Sequence, residues 1–497
     1  MHRALQVPEL VELICTEVDQ SSLYPLAQVQ IFSEPALDRL WRTQSSLVNV
    51  LLCMGQDLWE VNGTSRRDKF VYARRAIEPR DWQRFHIYAR RIKHLWLADH
   101  HYSAIDEDTW SPVLEMLAVC LPVRPLFPNL QDLHWSVHTR PWFSYVHLFL
   151  APRLETITLG ILDGFVHFSM LPTLPTQCPL LTSVTIFGKA DINTPYATCS
   201  LMIRGLRHLK ELDVGYVDRD AFQYLEDLPT LEKLALQRAP EFGPLTLLHD
   251  RQTFPRLRDL AVRDTPHQHL AGLLGTNSAW SLTHFLAHII NNPLSTHMAQ
   301  IYSLLASRSD PVVLIHLTIE AFVGRSDIGG ITGDHLSPLL AFKNLQHVKL
   351  TFPTGFNLDD TAVESLARAW PQLWSLELRS GLFRSTSPRI TLGGVRALAR
   401  HCRDLNVLAL AFDASVVPDD GAPPVAEQGC LRFLKVEDGV LVDPTPVAAY
   451  LMALFPRLQQ IHPPSLDDDE EMDDAEWERM TNLYSLWVEA ESQRRDA

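Results

Sequence analysis

The 497 residues are 46% hydrophobic and 21% charged, a composition typical of a globular protein with ample length for a large core. A formal net charge of −15 disfavours a general binder of nucleic acid or of anionic membranes. No apolar stretch approaches the roughly 18 residues of a membrane-spanning helix, and the N-terminal residues lack an apolar signal-peptide region. Seven cysteines without a CxxC pair predict reduced thiols, as in a cytoplasmic or nuclear protein, rather than disulfides or a zinc site.

Residues 1–45 are predicted to form a small helical domain. Pro8 stands where a helix can begin, and Leu10, Leu13 and Ile14 follow it at helical spacing. Three such helices within about 40 residues are near the limit for independent folding, so this domain needs a partner or a neighbouring domain. The apolar residues that predict the second and third helices are Leu23, Leu26 and Val29, then Leu37, Leu40 and Trp41.

Residues 46–90 are predicted to be a helical linker that also caps the repeats that follow. Residues 66–93 hold ten basic side chains against three acidic ones, with five aromatic residues interleaved. A basic segment with aromatic residues is one type of surface for single-stranded RNA. We prefer the alternative interpretation, an amphipathic linker helix with solvated charges and packed aromatic rings.

A short phrase recurs through residues 91–463: an apolar residue, two variable residues, a second apolar residue, one variable residue and a third apolar residue. From Leu130 onward, successive copies begin 22 to 32 residues apart, and weaker copies begin at Ile92, Leu282 and Leu458. This phrase, with a period of roughly 20–29 residues, is the signature of leucine-rich repeats. The clear copies are Leu130-Leu133-Trp135, Leu154-Ile157-Leu159, Leu181-Val184-Ile186, Leu209-Leu212-Val214, Leu231-Leu234-Leu236, Leu257-Leu260-Val262, Leu314-Leu317-Ile319, Leu345-Val348-Leu350, Leu373-Leu376-Leu378, Leu405-Leu408-Leu410 and Leu431-Leu434-Val436.

Each repeat is predicted to combine a strand with a helix. Positions four and six share one strand face because side chains alternate with a period of two. Between strands the apolar spacing becomes helical, as from Val363 to Trp370, where Asp359 or Asp360 is placed to cap the helix. The predicted fold class is therefore α/β, a leucine-rich-repeat solenoid with a parallel sheet on its concave face and helices outside. A doubly wound α/β fold would have longer units and a glycine-rich phosphate turn, and neither is present.

The N-terminal run VPELVELI…LYPLAQVQIFSEPALDRLW resembles the F-box, whose pattern has an apolar-Pro opening, a central L-x-x-V helix and a closing Trp. Its continuation into irregular repeats resembles the F-box proteins with leucine-rich repeats that are abundant in mushroom-forming (basidiomycete) fungi. The resemblance implies that the helical domain docks on the Skp adaptor of a cullin-based (SCF) ubiquitin ligase and that the repeats select the target protein. The matching residues, to which we add Leu10 as a further adaptor contact, are Pro8, Leu13, Ile14, Leu26, Val29, Leu40 and Trp41.

The alternative is a stand-alone leucine-rich-repeat scaffold. In that interpretation residues 1–45 only cap the open end of the solenoid, which every such array requires. Both roles are compatible if part of the apolar surface of these helices packs inward and part packs outward.

The target-binding surface is predicted from strand alternation. Positions three, five and seven of each repeat point away from the core, and the mixed charge of the side chains there favours a protein partner over a polyanion. Trp374, at position two of its repeat, is the expected aromatic anchor. The other predicted partner-binding residues of the concave face are His134, Asp213, Lys233, Gln237, Arg263, His347, Lys349, Glu377 and Arg379.

Residues 464–497 combine an acidic segment, with nine carboxylates between 467 and 478, and a C-terminal helix predicted to cap the last repeat. The pair His284 and His288 has the spacing of a zinc-protease helix, but Phe285 stands where such a protease has its catalytic Glu. No serine-hydrolase, phosphate-loop or dinucleotide-binding motif occurs. We therefore expect no enzymatic activity, no cofactor, no metal and no nucleic-acid or membrane partner.

Overall fold

The computed structural model describes residues 7–62, 70–98, 107–136, 143–160, 168–187, 196–241, 253–322, 329–381, 388–418, 428–437, 439–462 and 479–482. The chain divides into two compact units, Met1–Thr230 and Leu231–Ala497, and the division lies within the predicted solenoid. The predicted acidic segment and most of the predicted C-terminal helix lie outside the described residues.

The helices alternate with strands along most of the chain. Short 3₁₀ helices lie at Val146–Leu148, Leu171–Thr173 and Ser337–Ala341. The α-helices are α1 (Pro8–Glu17), α2 (Gln20–Leu26), α3 (Ser33–Trp41), α4 (Val48–Leu51), α5 (Asp81–Ala89), α6 (Glu107–Cys120), α7 (Leu174–Gln177), α8 (Tyr196–Gly205), α9 (Arg219–Glu226), α10 (His267–Gly275), α11 (Ser295–Arg308), α12 (Gly333–Leu336), α13 (Asp360–Ala369), α14 (Leu392–His401) and α15 (Pro444–Leu454).

Most strands are short, as expected where each repeat contributes one strand. The strands are β1 (Thr43–Gln44), β2 (Trp59–Asn62), β3 (Phe70–Ala73), β4 (His94–Ala98), β5 (Asp132–Ser136), β6 (Thr156–Gly160), β7 (Ser183–Phe187), β8 (Glu211–Val214), β9 (Lys233–Leu236), β10 (Asp259–Pro266), β11 (His284–Ile290), β12 (His316–Glu320), β13 (Ile331–Thr332), β14 (His347–Phe352), β15 (Phe356–Asn357), β16 (Ser375–Ser380), β17 (Val407–Leu410), β18 (Phe433–Val436) and β19 (Gln460–His462).

In the first unit β1, β4, β5, β6, β7 and β8 pair in parallel, in that order. The strand pairing follows the repeat, because each position-four residue lies opposite the position-four residue of the neighbouring strand. The series runs Leu95, Leu133, Ile157, Val184 and Leu212, and all five side chains are buried. The recurring phrase therefore builds a continuous apolar core on one side of this sheet.

In the second unit β9, β10, β11, β12, β14, β16, β17, β18 and β19 pair in parallel, again one strand per repeat. Two very short strands, β13 and β15, form a separate parallel pair. The buried position-four series of this unit is Leu234, Leu260, Phe285, Leu317, Val348, Leu376, Leu408, Leu434 and Ile461.

The helix from Asp360 to Ala369 illustrates how sequence fixes the connecting element. The Asp359 carboxylate accepts a hydrogen bond from the backbone N–H of Ala362 at 2.9 Å, as a helix cap does, so the first of the two predicted capping residues is correct. Val363 and Leu366 are buried on its apolar face. The helix ends before Pro371, which disfavours helical geometry in the residue before it.

The three N-terminal helices predicted for residues 1–45 are present as α1, α2 and α3. Their small core contains Cys15 of α1, Leu23 of α2 and Ala36 of α3. Leu26 and Leu40 pack against that core and are partly buried. The side chain of Asp19 caps α2 by accepting from the backbone N–H of Ser22 at 3.0 Å.

The predicted helical linker at 46–90 is wrong over much of its length. Among the described residues of this segment only α4 and α5 are helical, and β2 pairs with β3 in an antiparallel hairpin. The physical reason is alternation: Val71 is buried while its neighbour Tyr72 is exposed, a period of two that suits a strand better than a helix.

The sheet also begins earlier than residue 91. After α3, two extended residues pair with β4 in register, Thr43 with His94 and Gln44 with Leu95. The carbonyl of Arg42 accepts from the backbone N–H groups of Lys93 and His94, both at 2.9 Å. The N-terminal helices are thus joined to the first repeat strand by backbone hydrogen bonds.

All seven cysteines are free thiols. Burial raises the pKa of the thiol to about 12 for Cys178 and Cys402, which keeps these side chains protonated as small apolar core residues. None of the helices in the described part of the chain has the length and apolar composition to cross a bilayer.

Candidate interaction surfaces

In both units, one face of the parallel strands carries the side chains at the variable positions of the repeats. Along β11 and β12 the buried residues alternate with more exposed ones, so that Phe285 and Leu317 point into the core while His284 and His316 point to the opposite face. This is the alternation that the recurring phrase predicts. The face opposite the leucine core carries positions three, five and seven and is called the variable face below.

The predicted target-binding residues lie at these positions, except Trp374, which is at position two of its repeat. In the first unit His134 and Asp213 are half-buried on the variable face. In the second unit Lys233, Gln237 and Trp374 are exposed. The remaining predicted residues of the second unit, all half-buried, are Arg263, His347, Lys349, Glu377 and Arg379. Their role in binding stays a prediction.

His134 shows how the variable face of the first unit is arranged locally. Its Nε2 lies 3.1 Å from the hydroxyl of Ser136, two residues along the same strand. Burial lowers the pKa of His134 below its ordinary value, although the neighbouring Asp132 carboxylate opposes that shift. A less basic imidazole of this kind is neutral at physiological pH and serves as a hydrogen-bonding group rather than a charge.

Three histidines stack across adjacent strands of the second unit. His284, His316 and His347 pair in register on β11, β12 and β14. The ring centroids of His284 and His316 are 4.3 Å apart, and those of His316 and His347 are 4.2 Å apart with the ring planes within 7°. We call these three residues the histidine ladder. Trp374 follows at one end, with its ring 5.0 Å from that of His347.

Asp259 lies at the other end of the ladder. Its Oδ1 is 2.7 Å from Nδ1 of His284, and because a carboxylate only accepts hydrogen bonds, the ring nitrogen is the donor. Burial and the neighbouring imidazoles lower the pKa of His316 to about 4. The pKa of His347 is also lowered, mainly by burial. Each of these two rings resists protonation mainly because burial disfavours its charged form, and neighbouring imidazoles add to that effect.

Two little-exposed carboxylates on the variable face are each held by two basic side chains. Glu320 lies 2.8 Å from Nε2 of His288 and 2.6 Å from Nζ of Lys349. Glu437 lies 3.0 Å from Nε of Arg379 and 3.1 Å from Nζ of Lys435. The predicted residues Lys349 and Arg379 therefore neutralise this chain's own acids, which reduces their availability to a partner.

Acid is expected to weaken the second unit through Glu320. The hydrogen bond from His288 is the main cause that lowers the pKa of the carboxyl to about 2, below the ordinary value of roughly 4.3. Since the folded-state pKa is depressed, the stabilisation is complete above the unfolded-state pKa and is lost as pH falls toward about 2. Glu320→Gln should therefore lose less stability than the wild type between about pH 6 and about pH 3, measured by urea unfolding.

Glu377→Gln is the matched control, because it makes the same change at a half-exposed position of the same face. It should retain the wild-type loss of stability on acidification. An identical pH dependence for the wild type and Glu320→Gln would contradict a role for the Glu320 ion pairs.

The N-terminal helices leave an apolar surface uncovered. Leu13 is 55% exposed and Val29 is 47% exposed, which is unusual for side chains that gain about 1.5–3 kcal/mol on burial. We define the apolar patch as Val7, Leu10, Leu13, Ile14 and Val29, all of which are exposed.

The predicted adaptor-binding residues divide into two groups. Pro8, which begins α1, is exposed together with the four predicted members of the apolar patch. Leu26 and Leu40 pack on the core of the helical cluster. Trp41 packs on Tyr88 of α5, with ring centroids 4.6 Å apart. The surface available to an adaptor is therefore centred on α1 and the segment after α2.

The basic side chains of 66–93 that the structure describes are largely engaged within the protein. Arg75 is paired with Asp57 at 2.7 Å and with Asp81 at 2.8 Å. Arg91 is paired with Glu34 and Asp38 of α3. Arg66, Arg67 and Lys69 lie outside the described residues. These pairings favour the linker interpretation over RNA binding, although the linker is not one helix.

Among the described residues, no group of three or more His, Cys, Asp or Glu side chains is arranged to hold a metal ion. His284 and His288, the zinc-protease spacing in the sequence, lie on a strand rather than on a helix. They are turned toward Asp259 and Glu320 respectively, so they serve two different carboxylates.

The fold is decided by the repeat strands. Each repeat contributes one strand, apolar positions four and six are in register from strand to parallel strand, and helices lie between the strands in the chain. The chain has the leucine-rich-repeat fold. No protein-family model matches the sequence, and no curated protein matches it. Solved structures do match, among them the crystal structure of the Rad7 and Elc1 complex in yeast. That match has 18% sequence identity, covers 67% of this chain and 84% of that chain, and has a TM-score of 0.39.

Two features of this leucine-rich-repeat protein escape a prediction based on single residues. The histidine ladder has a signal in the sequence, since His284, His316 and His347 all occupy position three, but the stacking follows from the strand register. The exposure of Tyr24, which lies between the predicted adaptor residues Ile14 and Leu26 in the sequence, has no signal beyond the apolar character of its ring.

Proposed function

We propose that the protein is a substrate receptor of an SCF-type ubiquitin ligase. In this proposal the N-terminal helices bind a Skp-type adaptor, and through it a cullin, while the variable face of the repeats binds the target protein. The protein would act in the cytoplasm or nucleus and would perform no chemistry of its own. The observation that carries the proposal is the apolar patch, because it coincides with residues by which the segment resembles the F-box.

The chemistry of the patch suits a protein partner. Leu10, Leu13 and Ile14 stand on one side of α1, while Val11 and Cys15 on its other side are buried. The short helical cluster thus already has its own core and still exposes a row of large aliphatic side chains. A group of exposed large aliphatic side chains of this kind is typical of a binding site.

The helical cluster is firmly attached to the first repeat. Arg91, next to β4, pairs with Glu34 and Asp38 of α3, and its side chain is only 10% exposed. Trp41 packs on Tyr88, and Thr43–Gln44 extends the sheet. A receptor needs such a connection, because an adaptor bound at one end must hold the repeats in a fixed orientation.

Co-purification tests the proposal directly. The full chain is co-expressed with a Skp-type adaptor and captured by a tag, and the adaptor is quantified by mass spectrometry. We expect a stoichiometric complex with the wild type and its loss in Leu13→Asp with Val29→Asp, because a charged group buried in an apolar interface is strongly unfavourable.

The matched control is Arg39→Glu at an exposed position of α3 outside the apolar patch. It lowers the net charge by two units, as the double variant does, and should retain the complex. Circular dichroism establishes that both variants are folded. Failure of the intact protein to bind the adaptor would refute the ligase role. A complex that survives the double substitution would refute the apolar patch as the adaptor-binding site.

The second candidate function is a stand-alone scaffold whose N-terminal helices act only as a cap. The packing of Trp41 on Tyr88 and the pairing of β1 with β4 favour a capping role. This candidate predicts that deletion of residues 1–45 causes aggregation, while the double substitution in the apolar patch has no consequence for partner binding. The two roles are compatible, and only the adaptor measurement separates them.

A further inference from the structure

The histidine ladder is a row of imidazoles with open edges. The three rings lie at position three of neighbouring repeats, half-buried or exposed, and stack face to face at 4.2 to 4.3 Å. Stacking occupies the faces of the rings. Their nitrogen atoms, at the ring edges, remain the groups that can donate or accept hydrogen bonds.

The groups around the ladder are few. His284 is paired with Asp259, His316 lies between the two other imidazoles, and His347 lies against Trp374, which is 43% exposed. Within the part of the chain that the structure describes, no carboxylate is at hydrogen-bond distance from His316 or His347. Asp259 acts on His316 only as a longer-range electrostatic attraction, which opposes the lowering of the His316 pKa. On the same face, the Glu320 carboxylate of β12 is bound by His288 and Lys349.

Carboxylate–imidazole pairing is already the arrangement that this sheet uses. Asp259 pairs with His284 at 2.7 Å, and Glu320 pairs with His288 at 2.8 Å. His316 and His347 present the same chemistry on the same face without an acid from the described residues. An external carboxylate would give these two rings the acidic partner that His284 and His288 already have.

We propose that His316 and His347, with Trp374 beside them, bind an acidic segment of the target protein. The inference rests on the proposed function only in that it takes the variable face as the target-binding side. A segment with carboxylates on neighbouring residues or on adjacent helical turns, about 5–6 Å apart, reaches both rings. Trp374 adds an exposed aromatic surface for the aliphatic parts of the same segment.

The proposal requires that binding strengthens as pH falls. Without a ligand, the pKa of His316 is about 4 and that of His347 is below its ordinary value, so both rings are neutral at pH 7. A bound carboxylate favours the protonated ring and raises both pKa values. Binding therefore takes up protons, and affinity increases as pH falls through the bound-state pKa values.

Fluorescence anisotropy with a fluorescein-labelled hexaglutamate peptide tests this, with hexaglutamine as the uncharged probe. For the full chain we expect at least about tenfold tighter binding of hexaglutamate at about pH 6 than at about pH 8. His316→Gln with His347→Gln should abolish that increase. His208→Gln, at an exposed position of the first unit, is the control and should leave it unchanged.

A second double variant separates binding from a structural role of the ladder. His316→Phe with His347→Phe retains stacked aromatic rings and removes the nitrogen atoms, so it should remain folded and lose the pH-dependent binding. Retention of that binding in either double variant would overturn the proposal. So would equal affinity for a hexauridylate RNA, which would indicate a general polyanion site. Because no adaptor is present in the assay, its result is independent of the ligase role.

Discussion

Replacing Leu317 by alanine is expected to lower the free energy of unfolding by about 2–5 kcal/mol. Leu317 is fully buried and lies in register between Phe285 and Val348 on the two neighbouring strands. The substitution removes apolar contacts and leaves a cavity that neighbouring repeats cannot fill, since their side chains are fixed by the strand register. Urea unfolding followed by far-UV circular dichroism measures the change as a lower transition midpoint.

Thr318→Ala provides the comparison at the next residue. Thr318 is half-buried on the variable face of the same strand, so its truncation should cost less than about 1 kcal/mol. The pair thus measures the difference between the two faces within one strand. Equal losses from the two substitutions would contradict the assignment of position four to the core.

The sequence predicts the strands of the repeats well because the signal is local. All eleven clear copies of the phrase and the three weak ones coincide with a strand that pairs in parallel. Even the weak copy at Leu282 behaves as the pattern requires, with Phe285 and Ala287 buried. A period of two within five residues needs no information from distant parts of the chain.

The linker was harder to predict because its structure depends on distant pairing. β1 is only two residues long and obtains its hydrogen bonds from β4, about fifty residues later. The hairpin of β2 and β3 likewise exists through cross-strand pairs such as Val61 with Val71. The high basic content of residues 66–93 resembles that of a solvent-exposed helix. Composition alone therefore favours a helix where the structure has a hairpin.

The candidate sites show the same limit in another form. Helical spacing correctly groups Leu10, Leu13 and Ile14 on one side of α1, but spacing does not indicate whether that side faces the core or the solvent. Packing decides, because Val11 and Cys15 are buried, Cys15 in the core shared with α2 and α3, and the leucine side stays exposed. For the histidine ladder, position three places each residue on the variable face, and only the register of adjacent strands brings the rings into contact.

Trp370 and Trp374 allow the largest predicted loss of folding stability to be compared with the effect of the same substitution at an exposed position. Trp370 is fully buried at the end of α13, and its indole N–H donates to the carbonyl of Leu339 at 3.3 Å. Trp370→Ala should therefore lower the free energy of unfolding by about 3–5 kcal/mol, measured by urea unfolding. Trp374→Ala removes the same number of atoms from a ring that is 43% exposed, so it should cost less than about 1 kcal/mol. If Trp374→Ala proved as destabilising as Trp370→Ala, Trp374 would be a structural residue of the sheet and not an anchor available to a partner.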